Sequence, residues 1–163
     1  MMRGFPLFEL SETPLNTAHL ADSLASARAG ALVSFEGRVR DTNEGRTVVC
    51  LEYEAYPALS LAEGNAIVRE AMESEGLEGA AREGQALKGV LAARCVHRVG
   101  TLSVGDVAVW IGVTAGHREE AFRACRYIID EVKRRVPIWK KERYADGSAE
   151  WIGLGKAAGS ARP

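Results

Sequence analysis

The residues of this sequence that are best suited to chemistry are basic side chains at four separated places along the chain. They are Arg38 and Arg40, then His117 and Arg118, then Lys133, and last Lys140 and Lys141. Guanidinium and ammonium groups bind phosphates and carboxylates and stabilise negative charge that develops during a reaction. If the fold brings these clusters together, they suit a small, phosphorylated, anionic substrate.

His117 and Arg118 stand at the start of a helical pattern at 116–136. At about 100° per residue, Arg118 lies about 20° from the centre of the apolar stripe, which falls near Cys125. A cation in the first turn is disfavoured by the helix dipole unless an anion is present, and free backbone N–H groups point to the same place. The segment predicts an anion cradle. The alternative is that Arg118 extends into solvent or pairs with a neighbouring glutamate.

The other cationic clusters also allow two interpretations. Lys133 lies about 80° from the centre of the same stripe, where it is either a solvated flank residue or an amine tuned by its surroundings. Arg38 and Arg40 share one strand face, where they either bind an anion between them or pair with nearby glutamates. Lys140 and Lys141 follow a helix end, where cations are favourable in any case.

The composition limits the classes of protein to which the chain can belong. It has 163 residues and a net charge of -1, and 47% of the residues are apolar and 26% charged, which is typical of a globular protein. General nucleic-acid binding is disfavoured because it requires a basic balance. The three cysteines are far apart without metal-ligand spacing, so we expect free thiols, no metal and a reducing compartment, the cytoplasm. No apolar run approaches the ~20 residues of a membrane span.

The predicted secondary structure mixes strands and helices without regular alternation, which favours an α+β fold. Apolar patterning predicts strands at 5–10, 31–40, 47–56, 90–97, 107–114, 138–144 and 149–152, with 107–114 central because both of its faces are apolar. Helical periodicity predicts helices at 15–28, 57–75 and 116–136. Turn residues predict one hairpin joining 31–40 to 47–56, another joining 138–144 to 149–152, and a turn at 100–106. We interpret 1–153 as one domain, 73–89 as a solvated loop or frayed helix end, and 154–163 as a flexible tail.

These segments, taken in order, resemble the catalytic large subunit of molybdopterin synthase. The matching motifs are FEGRVRD at 35–41, LEYEAYP at 51–57, VHRVG at 96–100, VTAGHR at 113–118, and Lys133 followed by PIWKKE at 137–142. The resemblance covers about residues 5–153. Five motifs that occur in the family's order and at compatible spacing make the resemblance more specific than any single motif would.

The resemblance implies an α/β hammerhead-type fold with an additional small antiparallel sheet. It also implies a homodimer at the centre of a heterotetramer, in which each copy binds a small ubiquitin-like sulfur carrier with a Gly-Gly C-terminus. The carrier's thiocarboxylate would enter a pocket of the large subunit. Two sulfurs would then pass in turn to cyclic pyranopterin monophosphate (precursor Z) and form the dithiolene of molybdopterin. No metal or other cofactor is implied, since a thiocarboxylate is already an activated nucleophile.

The positions that match the family's motifs line this pocket in the family. Lys133 would be the main catalytic residue, stabilising the thiocarboxylate and the oxyanion formed at its carbonyl carbon. Lys140 would assist proton transfer and neutralise charge. The substrate-binding positions implied by the resemblance are Arg38, Val39, Arg40, His117, Arg118, Lys141 and Glu142.

Two other functions remain open from the sequence. A non-catalytic module that binds a nucleotide-like phosphate ligand would use the same basic clusters, without bringing Lys133 and Lys140 into one pocket. A pure interaction subunit would dock a ubiquitin-like partner on the apolar C-terminal strands without needing His117 and Arg118. Formation of the dithiolene pterin from thiocarboxylated carrier and precursor Z would separate the enzyme from both alternatives.

Overall fold

The computed structural model describes residues 5–75 and 89–152. Within these ranges the elements are β1 (Phe8–Ser11), α1 (Thr17–Ser23), β2 (Ala31–Arg38), β3 (Thr42–Asn43), β4 (Arg46–Ala55), α2 (Pro57–Glu75), β5 (Val90–Arg98), β6 (Gly100–Ser103), β7 (Val107–Ala115), α3 (Arg118–Arg135), β8 (Ile138–Tyr144) and β9 (Ala149–Ile152). The predicted loop at 73–89 lies mostly outside the described residues, and the predicted tail at 154–163 lies wholly outside them.

The first sheet has four strands in the order β1-β5-β7-β2, in which β1 and β5 are parallel and the other pairs antiparallel. Helices α2 and α3 cover one face, where Ile67 and Ile128 share a fully buried core with Val113. Helix α1 covers the other face, where Leu20 and Leu24 share a second core with Trp110. Strand β7 therefore needs apolar side chains on both faces, and its prediction as the central strand is confirmed.

The second sheet is antiparallel, with the order β3-β4-β8-β9 and with β6 also paired to β4. Its own small core contains Leu51, Leu102 and Tyr144, together with Val39, which follows β2. The chain thus leaves the first sheet after β2 and enters the second sheet before β4. Two sheets with helices packed on one of them give the mixed α+β architecture that the sequence predicts.

The prediction of a hairpin that joins 31–40 to 47–56 is wrong. Strand β2 pairs with β7 instead, where Phe35 lies opposite Ile111, and β4 pairs with β8. The turn residues between them close a smaller hairpin of β3 and β4, with positive φ angles of 49° at Glu44 and 77° at Gly45. The error arises because local turn chemistry predicts that the chain reverses, whereas the sheet that a strand joins depends on distant partners.

The other boundaries follow the sequence more closely. Strands β8 and β9 and helix α2 have the predicted bounds, and α3 ends before Val136, which is extended with ψ 125° as a residue preceding proline requires. Helix α1 is shorter than predicted. The predicted turn at 100–106 begins instead with strand β6, where Leu102 is fully buried. None of the described helices is long and apolar enough to cross a membrane.

Candidate active site

A cavity of about 590 Å³ lies between the C-terminal end of α3 and the second sheet. It collects four of the cations that the sequence analysis singles out, together with one acidic residue: Arg38, Arg40, Lys133, Lys140 and Glu142. These residues come from the end of β2 and the residues just after it, from α3 and from β8. The fold therefore brings cations that are far apart in the sequence to the walls of one cavity.

Arg38 and Arg40 owe their position to the end of β2. The strand register shifts between Gly37 and Arg38, which is the irregularity that often re-aims side chains beside a functional site. Because strand side chains alternate, Val39 points the opposite way and is 3% exposed in the core of the second sheet. Its N–H donates to the carbonyl of Asp106 at 3.0 Å, so Val39 fixes the backbone between the two arginines.

The cations of the cavity differ in whether a carboxylate already holds them. Arg38 pairs with Glu36, and Lys140 pairs with Glu142. Lys133 and Arg40 are exposed and form no ion pair within the described part of the chain. Since an unpaired cation remains available to a ligand, Lys133 and Arg40 are the groups best placed to receive an anion in the cavity.

Lys140 is anchored by a buried carboxylate. Lys140, Glu142 and Tyr144 share one face of β8, and Glu142 is only 3% exposed. The Glu142 carboxylate accepts hydrogen bonds from Lys140 Nζ at 2.9 Å, Tyr144 Oη at 2.6 Å and Asn43 Nδ2 at 2.7 Å. Burial alone would raise the pKa of Glu142, but the bonds from Tyr144, Lys140 and Asn43 outweigh it and lower that pKa. The carboxylate is therefore ionised at neutral pH and holds the Lys140 ammonium in place.

The remaining predicted positions lie away from the cavity in a single copy of the chain. Lys141 points to the opposite face of β8, where its Nζ lies 5.3 Å from the centre of the Trp151 ring. His117 and Arg118 are exposed at the start of α3. Since a helix rises 1.5 Å per residue, Arg118 lies about 22 Å from Lys133. One copy therefore does not bring His117 and Arg118 to the cavity.

Two polar rings that line the cavity were not predicted from the sequence. His97 on β5 and Tyr53 on β4 were not among the candidate site residues, yet both rings line the cavity. Their centroids are 5.0 Å apart in an edge-on arrangement. The available signal for His97 was a polar ring near the end of the mostly buried strand β5, but the role of such a ring depends on which element faces it.

Burial sets the ionisation states of both rings. It lowers the pKa of His97 to about 4, and the nearby positive charge of Lys133 acts in the same direction against a hydrogen bond with the backbone of Arg98. Burial also raises the pKa of Tyr53 to about 12, assisted by the negative charge of Glu142. At neutral pH the cavity thus contains a neutral imidazole and a neutral phenol among its cations.

Comparisons with known proteins identify related chains. A family model described as MoaE protein matches residues 10–135. A molybdopterin synthase catalytic subunit from Oryza sativa subsp. indica is 44% identical over 133 residues, which are 82% of this chain and 62% of that protein. The catalytic subunit from Bacillus subtilis is 38% identical over 149 residues, which are 90% of this chain and 84% of that protein. The chain thus spans somewhat less than two thirds of the rice relative and most of the bacterial one.

A solved structure agrees with these relatives. The crystal structure of molybdopterin synthase from Staphylococcus aureus superposes with a TM-score of 0.76 at 33% identity. The match covers 92% of this chain and 99% of that chain. The similarity therefore extends over most of the chain and is not confined to one motif.

Proposed function

The chain belongs to the MoaE protein family, and on that premise we propose that it is the catalytic subunit of a molybdopterin synthase. In this function it is a sulfurtransferase of molybdenum cofactor biosynthesis. It transfers two sulfurs to cyclic pyranopterin monophosphate, one from the thiocarboxylated C-terminus of each of two small ubiquitin-like carriers. The products are the dithiolene of molybdopterin and two carriers that end in a carboxylate.

The observation that carries this proposal is the pairing state of the cavity's cations. Lys133 and Arg40 have no carboxylate partner within the described residues, while Lys140 is held beside them by the buried Glu142. Both a thiocarboxylate and a phosphate are anions, and the reaction develops further negative charge at the carrier's terminal carbonyl. Preorganised, unpaired cations stabilise the negative charge of the transition state and so lower the activation free energy. The cavity does not have to supply a nucleophile of its own.

Each cation of the cavity has its own role in this reaction. The Lys133 ammonium stabilises the thiocarboxylate and the oxyanion that forms when water adds to the carrier's acyl carbon. Lys140 neutralises charge and assists proton transfer, with Glu142 keeping it in position. Arg38 and Arg40 bind the phosphate of the substrate, where the planar guanidinium matches the oxygens of the anion.

The proposed assembly explains the placement of His117 and Arg118. The family resemblance implies a homodimer, and in one copy these two residues lie about 22 Å along α3 from Lys133. We propose that His117 and Arg118 of one copy reach the cavity of a second copy and bind the phosphate there. The exposed, anion-binding start of a long helix suits this role.

The same chemistry bears on cofactor and compartment. We propose that the transfer requires no metal, because the thiocarboxylate is already activated and the cavity supplies positive charge. Activity that survives a chelator would support this. We further propose that the protein acts in the cytoplasm, where its widely spaced cysteines stay reduced.

The decisive test of the function is product formation. The purified chain is incubated with thiocarboxylated carrier and cyclic pyranopterin monophosphate, and the dithiolene pterin is measured after oxidation to a fluorescent derivative. We expect product in proportion to the enzyme, with two carriers consumed per pterin. Binding of the pterin phosphate or of the carrier without any product would favour one of the two non-catalytic alternatives.

A further inference from the structure

His97 is a buried residue whose role is not explained by packing alone. It lies near the end of β5 and is 8% exposed, and its ring meets the edge of Tyr53 while lining the cavity. None of the roles proposed for the cavity residues involves His97. Buried polar groups are nearly always hydrogen-bonded, so each of its two ring nitrogens needs a partner.

One nitrogen has its partner. His97 Nδ1 lies 2.7 Å from the carbonyl oxygen of Arg98. A carbonyl only accepts, so Nδ1 carries the hydrogen and donates it. Because the imidazole is neutral at physiological pH, Nε2 carries no hydrogen and is an acceptor. This tautomer is fixed by the backbone and does not depend on the ligand.

The other nitrogen is free for a ligand. His97 Nε2 forms no hydrogen bond to any residue that the structure describes, and it is not sealed away from the cavity. The flexible groups around the cavity are mostly donors, since the arginines and lysines have no acceptor atoms. The carboxylate of Glu142 already receives three donors. His97 Nε2 is therefore an unoccupied, uncharged acceptor among cations.

We propose that His97 is a substrate-binding residue whose Nε2 accepts a hydrogen bond from an N–H or O–H group on the fused ring of the pterin substrate. This inference rests on the proposed function and extends it to the other end of the substrate. The cations bind the phosphate, which offers them acceptor oxygens. A neutral acceptor gains nothing from those oxygens but recognises a ring that carries donor groups.

Tyr53 complements this acceptor. Its phenol stays protonated at neutral pH, and its hydroxyl has no hydrogen-bond partner in the described ranges. Tyr53 and His97 together place one donor and one acceptor on the same wall of the cavity. A heterocycle with adjacent donor and acceptor atoms fits such a pair, whereas a simple phosphate or a carboxylate does not.

Two isosteric substitutions separate ligand binding from a structural role. The amide nitrogen of His97→Asn replaces Nδ1 and keeps the bond to the Arg98 carbonyl, but leaves the cavity without its acceptor. The longer amide of His97→Gln places its oxygen near the position of Nε2 and keeps the acceptor. His19→Asn, on the exposed surface of α1, is the matched control.

Steady-state kinetics with both substrates provide the first readout. We expect His97→Asn to raise the KM for cyclic pyranopterin monophosphate about tenfold, as expected for one lost hydrogen bond, and to leave the KM for the carrier unchanged. His97→Gln should stay within about threefold of the wild type. Equal losses in both variants, or no change in His97→Asn, would overturn the proposal.

A second readout uses the wild-type protein, so that a variant that fails to fold does not decide the matter. Nitrogen NMR at pH 7 should show His97 as the neutral tautomer with hydrogen on Nδ1. Adding cyclic pyranopterin monophosphate should shift the Nε2 resonance of His97 but not that of His19. An Nε2 resonance that stays unchanged at saturation would overturn the proposal. If wild-type protein in the same preparation forms no dithiolene pterin, the proposed function itself has failed.

Discussion

The ammonium of Lys140 donates a hydrogen bond to the carboxylate of Glu142 across 2.9 Å, at the wall of the cavity. Glu142 is buried and is itself held by Tyr144 and Asn43. The guanidinium of Arg46 in turn lies over the ring of Tyr144, with its Cζ atom 3.5 Å from the ring centre. The position of Lys140 is therefore set by a chain of contacts that crosses the second sheet and ends at its surface.

The first prediction concerns this anchor. In Glu142→Gln the amide can offer its oxygen to Tyr144 and Asn43 only by turning its NH2 group toward Lys140. Two donors then face each other, and the ammonium moves. We expect kcat to fall about 10- to 100-fold, since small displacements of a reacting group have effects of this size.

The matched control for this variant is Glu52→Gln, which removes the surface pair of Glu52 with Arg143 on the same sheet. Exposed ion pairs contribute little, so the control should keep wild-type kcat. Steady-state turnover and thermal unfolding are measured for both. Wild-type turnover in a folded Glu142→Gln protein would show that Lys140 does not depend on this carboxylate.

The fold could be predicted wherever a local pattern decides the outcome. Helix α3 could be predicted because its apolar stripe is long and Pro137 ends it. Strand β7 could be predicted because both of its faces are apolar. The pairing of β2 with β7 was not readable, since it joins residues about 75 positions apart. Strand β6 was missed for the same reason, because it pairs with the distant strand β4, where Leu102 lies opposite Leu51.

The second prediction concerns the site's assembly from two copies of the chain. If His117 and Arg118 act in a second copy, a dimer that combines one Lys133→Ala chain with one Arg118→Ala chain contains one intact site. That mixed dimer should recover about half of the wild-type activity, while each homodimeric variant remains poorly active. Differently tagged, co-expressed chains allow the mixed dimer to be purified and assayed.

The opposite arrangement gives the opposite result. If Arg118 served the cavity of its own chain, each site of the mixed dimer would lack one of the two residues. No activity above the homodimeric variants would then be recovered, and the proposed placement of His117 and Arg118 across two copies would be wrong.

The third prediction concerns the contact between α2 and α3, which supports the end of α3 that carries Lys133. Arg135 pairs with Glu63 and Glu70 at 2.6 Å each and with Glu131 at 3.2 Å. Hydrogen bonds from Arg135 and then Tyr127 lower the pKa of Glu70 to about 2. A folded-state pKa below the unfolded value contributes stability above the ordinary pKa of 4.5 and loses it as the pH falls toward 2.

Arg135→Met should therefore lower the free energy of unfolding by about 1 kcal/mol at pH 7, a discounted value for a partly exposed network. The difference from the wild type should shrink as the pH falls from 4.5 toward 2. Urea unfolding across this range measures it, with Arg126→Met as the control because its pair with Asp130 is a single exposed one. A destabilisation that does not change with pH would assign the effect to lost packing instead of charge.

The candidate site was only partly readable from the sequence. Their local patterns left Lys133 and Lys140 open to a purely structural interpretation, and it was the family resemblance that singled them out. The cavity brings them together. Val39 was grouped with its neighbours by the motif, but strand alternation turns it into the core. His97 and Tyr53 were missed because their role depends on two strands from different sheets meeting at one wall.

The most direct test of the central claim is single-turnover sulfur transfer by Lys133→Ala, compared with wild type and with Arg134→Ala. Arg134 is the adjacent exposed cation, paired with Glu131, and serves as the control for charge alone. We predict that Lys133→Ala slows transfer by about 100-fold or more, as for the loss of one oxyanion-stabilising group, while the affinity for the carrier is kept and Arg134→Ala behaves as wild type. Transfer at the wild-type rate by Lys133→Ala would contradict the account.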